Sequence, residues 1–375
     1  MKILIVAGAL MLVLVVAGIA YLQHPKFGPA FDAESLEGAS NSPQFANGQF
    51  NNLEPTQVLL KGESTLSIIW KGIVNRRPAK LRPELSIPTR KTDLHALDRD
   101  TDLVIWLGHS SYFVQLGGQR ILIDPVLSRY AAPVPLANEA FEGTRLYDVD
   151  EIPPIDVLLI THDHWDHLDY PSIDGLRDRV REVVTPLGVD RYFLAWGFEP
   201  DRVHARDWFG SVRLDPDLTV YVLPARHYSG RLLAKSKTQW ASFALETPER
   251  RLYFGGDSGY GKHVGQIAAR FDDFDLAVLD MGQYDPRWPS IHMTPEEAAR
   301  TAQELGARAL LPAHVGKFTI ANHAWDEPFE RIVAASRNKP YRLLTPLMGE
   351  PVALQEVQTF GPWWREITAE TGRAQ

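Results

Sequence analysis

The chain has 375 residues, of which 45% are hydrophobic and 23% charged, so it can bury a large core and is not a disordered protein. Its formal net charge of −8 lacks the basic character that binding to a phosphate backbone requires, and nucleic acid is therefore not an expected partner. The absence of cysteine excludes disulfides, thiolate catalysis and cysteine metal ligands, so any metal ion must be held by histidine and carboxylate side chains.

Residues 1–22 are predicted to lie outside the folded domain. From residue 3 to residue 22 the chain is an uncharged run of apolar and small residues, long enough to span the roughly 30 Å hydrocarbon core of a bilayer as a helix. We interpret this run as a single membrane anchor that leaves the rest of the chain on the extracytoplasmic, periplasmic side. The alternative is the cleaved signal of a secreted protein, with its cleavage site at Gly18, Ile19 and Ala20.

The chain after this segment divides into three predicted parts. Residues 23–95 are rich in proline, with several glycine, asparagine and serine residues, which indicates a linker followed by an irregular extension. Residues 96–355 are predicted to form the folded domain, and residues 356–375 a carboxy-terminal tail.

The folded domain begins with three predicted strands. They cover residues 103–107, 112–116 and 120–124, all rich in β-branched and aromatic side chains. Gly117 and Gly118 lie between the second and third, which predicts a tight hairpin turn.

Later segments alternate between strand and helix patterns. Further strands are predicted over residues 157–160, 220–223 and 276–280. A helix is predicted over residues 295–305, because Thr294 and Glu297 form a capping box and Gly306 follows as a stop signal. These elements together indicate an α/β fold, an αββα sandwich of two mixed β-sheets flanked by helices.

A short loop after the strand at 157–160 concentrates metal-ligating residue types. Within six residues it contains three histidines and two aspartates: His162, Asp163, His164, Asp166 and His167. Such a group is costly to place together unless a cation gathers it, and the preceding buried strand is a rigid support for ligands. The loop therefore predicts a metal site with room for two adjacent ions.

The spacing of this loop resembles the His-x-His-x-Asp-His signature of the metallo-β-lactamase superfamily. Three further residues, each after a strand-like run, stand where that resemblance requires ligands: His227, Asp257 and His314. The resemblance implies two zinc ions, the first held by His162, His164 and His227, the second by Asp166, His167 and His314, and both bridged by Asp257. Taken singly, each later residue also fits a core, surface or turn position, and only their order favours ligands.

Two more residues are predicted to support the ligands from behind. Asp124 ends a predicted strand and resembles the aspartate that bonds a ligating histidine in this fold, since such histidines need a partner for their second ring nitrogen. His109 has the same predicted role. The alternative for both is a plain turn residue.

Three blocks, residues 106–111, 122–128 and 291–298, resemble the N-acyl phosphatidylethanolamine hydrolysing phospholipase D branch of that superfamily and its bacterial relatives. This resemblance implies that His292 lies in the substrate pocket and contacts a phosphate or leaving group near a helix N-terminus. The alternative is that His292 merely precedes a well-capped helix. The predicted catalytic residues are Asp257, Asp166 and His292.

The predicted function is hydrolysis at a two-zinc centre. Zinc lowers the pKa of bound water to about 7, so such a centre works at neutral pH. The expected substrate is N-acyl phosphatidylethanolamine or a related phospholipid, cleaved in the phospholipase D manner and reached through the amino-terminal membrane segment. Two alternatives stay open: a lactonase or other carboxylic-ester hydrolase of the same fold, and a membrane-anchored, metal-binding envelope protein without turnover.

Overall fold

Two β-sheets form the centre of the protein in the computed structural model, which describes residues 2–31, 38–64, 67, 70, 80–231 and 234–367. Parts of the predicted extension, within residues 65–79, and residues 368–375 of the predicted tail lie outside the described residues. Within the described chain each sheet has seven strands. The predicted αββα sandwich of two mixed sheets flanked by helices is confirmed.

A two-stranded ribbon precedes the sheets, formed by β1 (Phe45–Ala46) and β2 (Gln49–Phe50). The strands of the first sheet are β3 (Leu103–Gly108), β4 (Ser111–Leu116), β5 (Gln119–Ile123), β6 (Ile155–Leu159), β7 (Val180–Pro186) and β8 (Val203–Arg206). The strands of the second sheet are β9 (Ser211–Asp215), β10 (Leu218–Leu223), β11 (Ser242–Glu246), β12 (Arg251–Phe254), β13 (Leu276–Asp280), β14 (Ala309–Ala313) and β15 (Arg342–Leu343). The chain then returns to the first sheet, where β16 (Pro351–Ala353) pairs with β3.

Side chains alternate between two apolar layers because successive residues of a strand point to opposite faces. On β3, Val104 and Trp106 pack in the core that the two sheets share, whereas Ile105 and Leu107 pack in a second core under the helices. The helices beside the sheets are α2 (Tyr170–Leu176), α3 (Asp190–Ala195), α4 (Lys262–Arg270), α5 (Pro295–Glu304) and α6 (Glu327–Ala335).

Two local sequence predictions are confirmed in detail. Strands β4 and β5 form a hairpin in which Leu116 pairs with Gln119 across Gly117 and Gly118. At α5 the Thr294 side chain accepts a hydrogen bond from the Glu297 backbone N–H, and the Glu297 carboxylate accepts one from the Thr294 N–H.

The amino-terminal helix α1 covers Lys2–Leu22. Its large apolar side chains from Val6 onwards are exposed. No helix in the described part of the chain is long and apolar enough to cross a membrane. The predicted anchor is thus not confirmed, and it stays a prediction.

The segments on either side of the predicted domain contact its core. In the extension, Phe50 and Ile87 are buried, and so are Trp363 and Trp364 in the segment predicted as a tail. The Trp364 ring stacks on Phe329 of α6, with 5.0 Å between ring centroids. The described parts of both segments therefore contribute to the core of the protein.

Candidate metal centre

The candidate site lies at one edge of the sandwich because its residues follow strands that run in the same direction within each sheet. In the first sheet β3, β5 and β6 run parallel, and they lead into His109, Asp124 and the His162 loop. In the second sheet β10, β12, β13 and β14 run parallel, and residues that follow β10, β12 and β14 are His227, Asp257 and His314. The carboxyl ends of these strands bring all predicted ligands together.

The first group of ligands consists of His162, His164, His227 and Asp257, whose ligand atoms all lie within 4.8 Å of one another. His164 Nδ1 is 2.8 Å from His162 Nε2 and 3.2 Å from His227 Nε2. Asp257 Oδ2 is 3.7 Å from each of those two Nε2 atoms. The predicted set for one ion is therefore brought together, with the predicted bridging carboxylate beside it.

The second group adjoins the first and consists of His109, Asp166, His167 and His314. The other oxygen of the Asp257 carboxylate, Oδ1, lies 3.1 Å from His167 Nε2 and 3.0 Å from His314 Nδ1. One oxygen of Asp257 thus approaches each group, as the prediction of a bridging residue requires. His109 lies closer to this group than expected, with its Nε2 atom 2.9 Å from Asp166 Oδ2.

Hydrogen bonds behind the ligands determine which ring nitrogens approach the centre. Asp124 Oδ2 lies 2.7 Å from His167 Nδ1 and accepts a bond from the Thr161 hydroxyl, and Asp124 Oδ1 accepts one from the Thr161 N–H. In the same way His227 Nδ1 donates to the carbonyl oxygen of Ile291 at 2.9 Å. Both partners leave the Nε2 lone pair of the ligand free to bind a cation.

The donor set fits a metal pair. Buried polar atoms normally have partners, yet His167 Nε2 and Asp257 Oδ1 are buried without a hydrogen bond although they lie only 3.1 Å apart. Burial and neighbouring imidazoles lower the pKa of His162, His227 and His314 well below the usual value, so these rings are neutral at pH 7. Neutral imidazoles and carboxylates are the ligands that zinc takes in cysteine-free sites.

The carboxylates of the centre are buried beside these imidazoles. Burial alone would raise the pKa of Asp166, but His167 and His109 beside it lower that pKa well below the usual range. Burial raises the pKa of Asp257 to about 6, although His167 opposes the shift. With these pKa values both carboxylates are mainly ionised at pH 7, which is the form that binds metal.

Several site residues have an uncommon backbone conformation. His109, Asp124 and His314 have φ angles of 55°, 41° and 59°, in the left-handed region that residues other than glycine rarely adopt. Next to Asp257, Gly256 has φ 58°, and a Cβ atom there would lie 2.7 Å from the carbonyl oxygen of Ala241. Such strain persists only where surrounding contacts enforce it, and it is concentrated here around the ligands.

His292 lies at the edge of the centre, beside His227 and His314. Its ring stacks on His314, with 5.0 Å between centroids and 9° between planes, and it lies 4.9 Å from the His227 ring. His292 Nδ1 is 2.7 Å from Asp280 Oδ2. Burial would lower the pKa of His292, but the Asp280 carboxylate raises it above the usual value. The structure places His292 in a buried ion pair beside two predicted ligands, and its contact with substrate stays a prediction.

Asn52 and Tyr228 were not predicted from the sequence to belong to the site, and Asp163 was given no separate role. Asn52, from the extension, bonds the backbone of His227, and Tyr228 packs against the rings of His164 and His227. Asp163, inside the His162 loop, belongs to neither ligand group and accepts bonds from Tyr192, Thr238 and the Gly230 N–H. In the sequence, Tyr228 could have been proposed as a site residue only because it directly follows the predicted ligand His227.

Comparison with known proteins agrees with this geometry. A family model described as the Beta-lactamase superfamily domain matches residues 119–315. An uncharacterized protein of Mycobacterium tuberculosis is 38% identical over 339 residues, which cover 89% of this chain and 91% of that protein.

Two more distant relatives have names that state an activity. The N-acyl-phosphatidylethanolamine-hydrolyzing phospholipase D 1 of Caenorhabditis elegans is 30% identical over 233 residues, 57% of this chain and 64% of that protein. The mitochondrial enzyme of the same activity from Saccharomyces cerevisiae is 32% identical over 241 residues, 60% of this chain and 50% of that protein.

A solved structure shows the same fold. Igni18, a metallo hydrolase from the archaeon Ignicoccus hospitalis, superposes with a TM-score of 0.50 at 20% sequence identity, covering 67% of this chain and 97% of that chain. From the matched domain, the sandwich of two mixed sheets and the candidate His and Asp groups, the chain belongs to the metallo-β-lactamase superfamily and is a metal-dependent hydrolase of that fold.

Proposed function

We propose that this hydrolase is a zinc-dependent phosphodiesterase that cleaves N-acyl phosphatidylethanolamine or a related phospholipid in the phospholipase D manner. The observation that carries the proposal is the position of Asp257, whose two oxygens approach two separate ligand groups. Two adjacent ligand groups that would hold two metal ions suit phosphoryl chemistry, because a metal pair would stabilise the attacking and leaving oxygens of an in-line displacement. The names of the nematode and yeast relatives support the choice of substrate.

In this proposal the seven predicted ligands hold two zinc ions: His162, His164, Asp166, His167, His227, Asp257 and His314. When bound, zinc ions supply a nucleophile from water at neutral pH and polarise the phosphoryl oxygen. Asp257 is positioned to orient the attacking water and to accept its proton, and Asp166 would help to hold the second ion. Asp124 and Ile291 keep the rings of His167 and His227 in the orientation that metal binding requires.

His292 has a separate role, which is to contact the phosphate or the leaving group. Its Nδ1–H is directed to Asp280, so its Nε2 atom is the one that can reach substrate. His292 also lies three residues before the start of α5, whose N-terminus favours negative charge. A phosphodiester bound at the centre would therefore meet both an imidazole and a favourable helix dipole.

The test is product release by the zinc-loaded full chain in mixed micelles of N-acyl phosphatidylethanolamine. We expect phosphatidic acid and N-acylethanolamine to appear together, since phospholipase D chemistry cleaves the bond between phosphorus and the ethanolamine oxygen. The Asp257→Asn variant is the matched blank, because it removes one negative charge from the centre at nearly constant shape.

The outcomes distinguish this proposal from its main alternative. Release of both products by the wild type only would support the proposal. A zinc-loaded protein that leaves the phospholipid intact but hydrolyses lactones or carboxylic esters would contradict it and would favour the ester hydrolase.

A further inference from the structure

Tyr228 follows the ligand His227 directly, and its ring forms part of the wall of the metal centre. The ring lies edge-on to His164, with 4.5 Å between centroids, and 4.9 Å from His227. The side chain is half-buried, and its hydroxyl forms no hydrogen bond within the described part of the chain. An unpartnered phenol beside two predicted ligands is a donor without a structural role.

Tyr228 also faces a cavity of about 400 Å³. His227, Tyr228 and Trp240 form one side of this cavity, and residues 49–56 of the extension together with Val58 form the other. Amide and carboxylate side chains from the extension, including Asn51 and Glu54, line it, and no lysine or arginine is among its described lining residues. The cavity therefore offers no cation to a phosphate and suits an uncharged or positively charged group that donates hydrogen bonds.

The Tyr228 hydroxyl and the lining of the cavity together predict how the substrate is oriented. A negatively charged reacting group is favoured only beside the metal centre, and Tyr228 adjoins both that centre and the cavity. The organic part of the substrate would then occupy the space under the extension.

We propose that Tyr228 is a substrate-contacting residue whose hydroxyl donates a hydrogen bond to the oxyanion of the reacting group, where the cavity meets the metal centre. Donors aimed at developing negative charge are among the strongest contributors to catalysis in sites that exclude water. The inference rests on the proposed function only in requiring a reaction that develops negative charge on oxygen, which holds for phosphodiesters and carboxylic esters alike.

The variant Tyr228→Phe separates this role from packing, because phenylalanine keeps the ring against His164 and His227 and removes only the hydroxyl. The matched control is Tyr221→Phe, which makes the same change on β10, where the hydroxyl bonds Glu246. Inorganic phosphate serves as the probe of the oxyanion position. Its affinity for the zinc-loaded full chain is measured by calorimetry, together with the zinc content of each protein.

We expect Tyr228→Phe to bind phosphate about 10- to 100-fold more weakly than the wild type, the usual effect of losing a hydrogen bond to a charged group. Zinc content should be unchanged in both variants, and Tyr221→Phe should bind phosphate like the wild type. On any ester that the wild type hydrolyses, kcat/KM of Tyr228→Phe should fall by about 10²-fold or more.

Three results would overturn the inference: equal phosphate affinity in Tyr228→Phe and wild type, loss of zinc from Tyr228→Phe, or no phosphate binding by the wild type. Because phosphate binding requires no turnover, this test is independent of the phospholipid assay. A protein that ignores the phospholipid but shows the expected phosphate effect would contradict the proposed substrate and support the role of Tyr228.

Discussion

The side-chain amide of Asn52 forms two hydrogen bonds with the backbone of His227. Asn52 Nδ2 donates to the His227 carbonyl oxygen at 2.8 Å, and the His227 N–H donates to Asn52 Oδ1 at 3.1 Å. The Trp240 indole donates to the same Oδ1 atom at 3.2 Å. An extension residue 175 positions away in sequence therefore holds a predicted metal ligand in place.

We expect Asn52→Ala to weaken metal binding at the group of His162, His164 and His227. The substitution removes both bonds to the His227 backbone, and loss of groups that orient a ligand typically lowers metal affinity by about 10- to 100-fold. The measurement is a zinc titration with a competing chelator, which reports the two binding steps separately.

The matched control for this experiment is Asn51→Ala. Among the described residues, the Asn51 side chain donates to the carbonyl oxygens of Gln44 and Gln49, which both belong to the extension. We expect Asn51→Ala to bind zinc as tightly as the wild type and Asn52→Ala to bind zinc more weakly. Equal affinities in all three proteins would show that Asn52 does not position His227.

The Asp124→Asn substitution should weaken metal binding at the second ligand group, which includes His167. Asp124 lies 2.7 Å from His167 Nδ1 and accepts two bonds from Thr161, and an amide cannot accept on both sides as the carboxylate does. We expect the zinc-binding step at this group to lose about 10- to 100-fold in affinity. Asp156→Asn, which changes a carboxylate that pairs with surface Arg99, should leave both steps unchanged. Wild-type zinc binding in Asp124→Asn would refute this role.

Because the Lys317 side chain is buried, we expect the free energy of unfolding to depend on pH. Its ammonium is buried and donates to the carbonyl oxygen of Val126 at 2.8 Å, and burial lowers its pKa from 10.5 to about 8. Between pH 8 and pH 10.5 the unfolded chain thus binds a proton that the folded chain has lost. Unfolding becomes less favourable as pH rises through this window, because the unfolded state binds more protons.

The comparison that isolates this effect is wild type against Lys317→Met. Between pH 7.5 and pH 9.5 the free energy of unfolding of the wild type should rise by about 1–2 kcal/mol relative to that of the variant. Chemical denaturation at both pH values measures it. A difference between the two proteins that stays constant, or that changes in the opposite direction, would mean that Lys317 is not a buried cation.

Local features of the fold and the site were predictable from sequence. The ligands of the His162 loop are neighbours in the chain, so their spacing alone indicates a shared cation. The capping box of Thr294 and Glu297 and the hairpin at Gly117 depend on residues at most a few positions apart. Each of these predictions rests on contacts that the local backbone geometry determines.

Contacts between distant segments were not predictable. The extension appeared irregular because it is rich in proline with several glycine, asparagine and serine residues, yet Asn52 bonds a predicted ligand and neighbouring residues line the cavity. Asp163 stands among ligands in sequence, but the direction of its side chain depends on Tyr192 and Thr238 far along the chain. The left-handed conformation of His314 likewise follows from packing rather than from residue type.

The zinc content of the Asp257→Asn variant tests most directly whether one carboxylate joins two metal ions. The wild-type chain should retain two equivalents of zinc, and the variant should retain fewer and lose hydrolytic activity by orders of magnitude while its circular dichroism spectrum stays unchanged. A folded Asp257→Asn protein that holds two equivalents and hydrolyses substrate at the wild-type rate would contradict the two-metal centre.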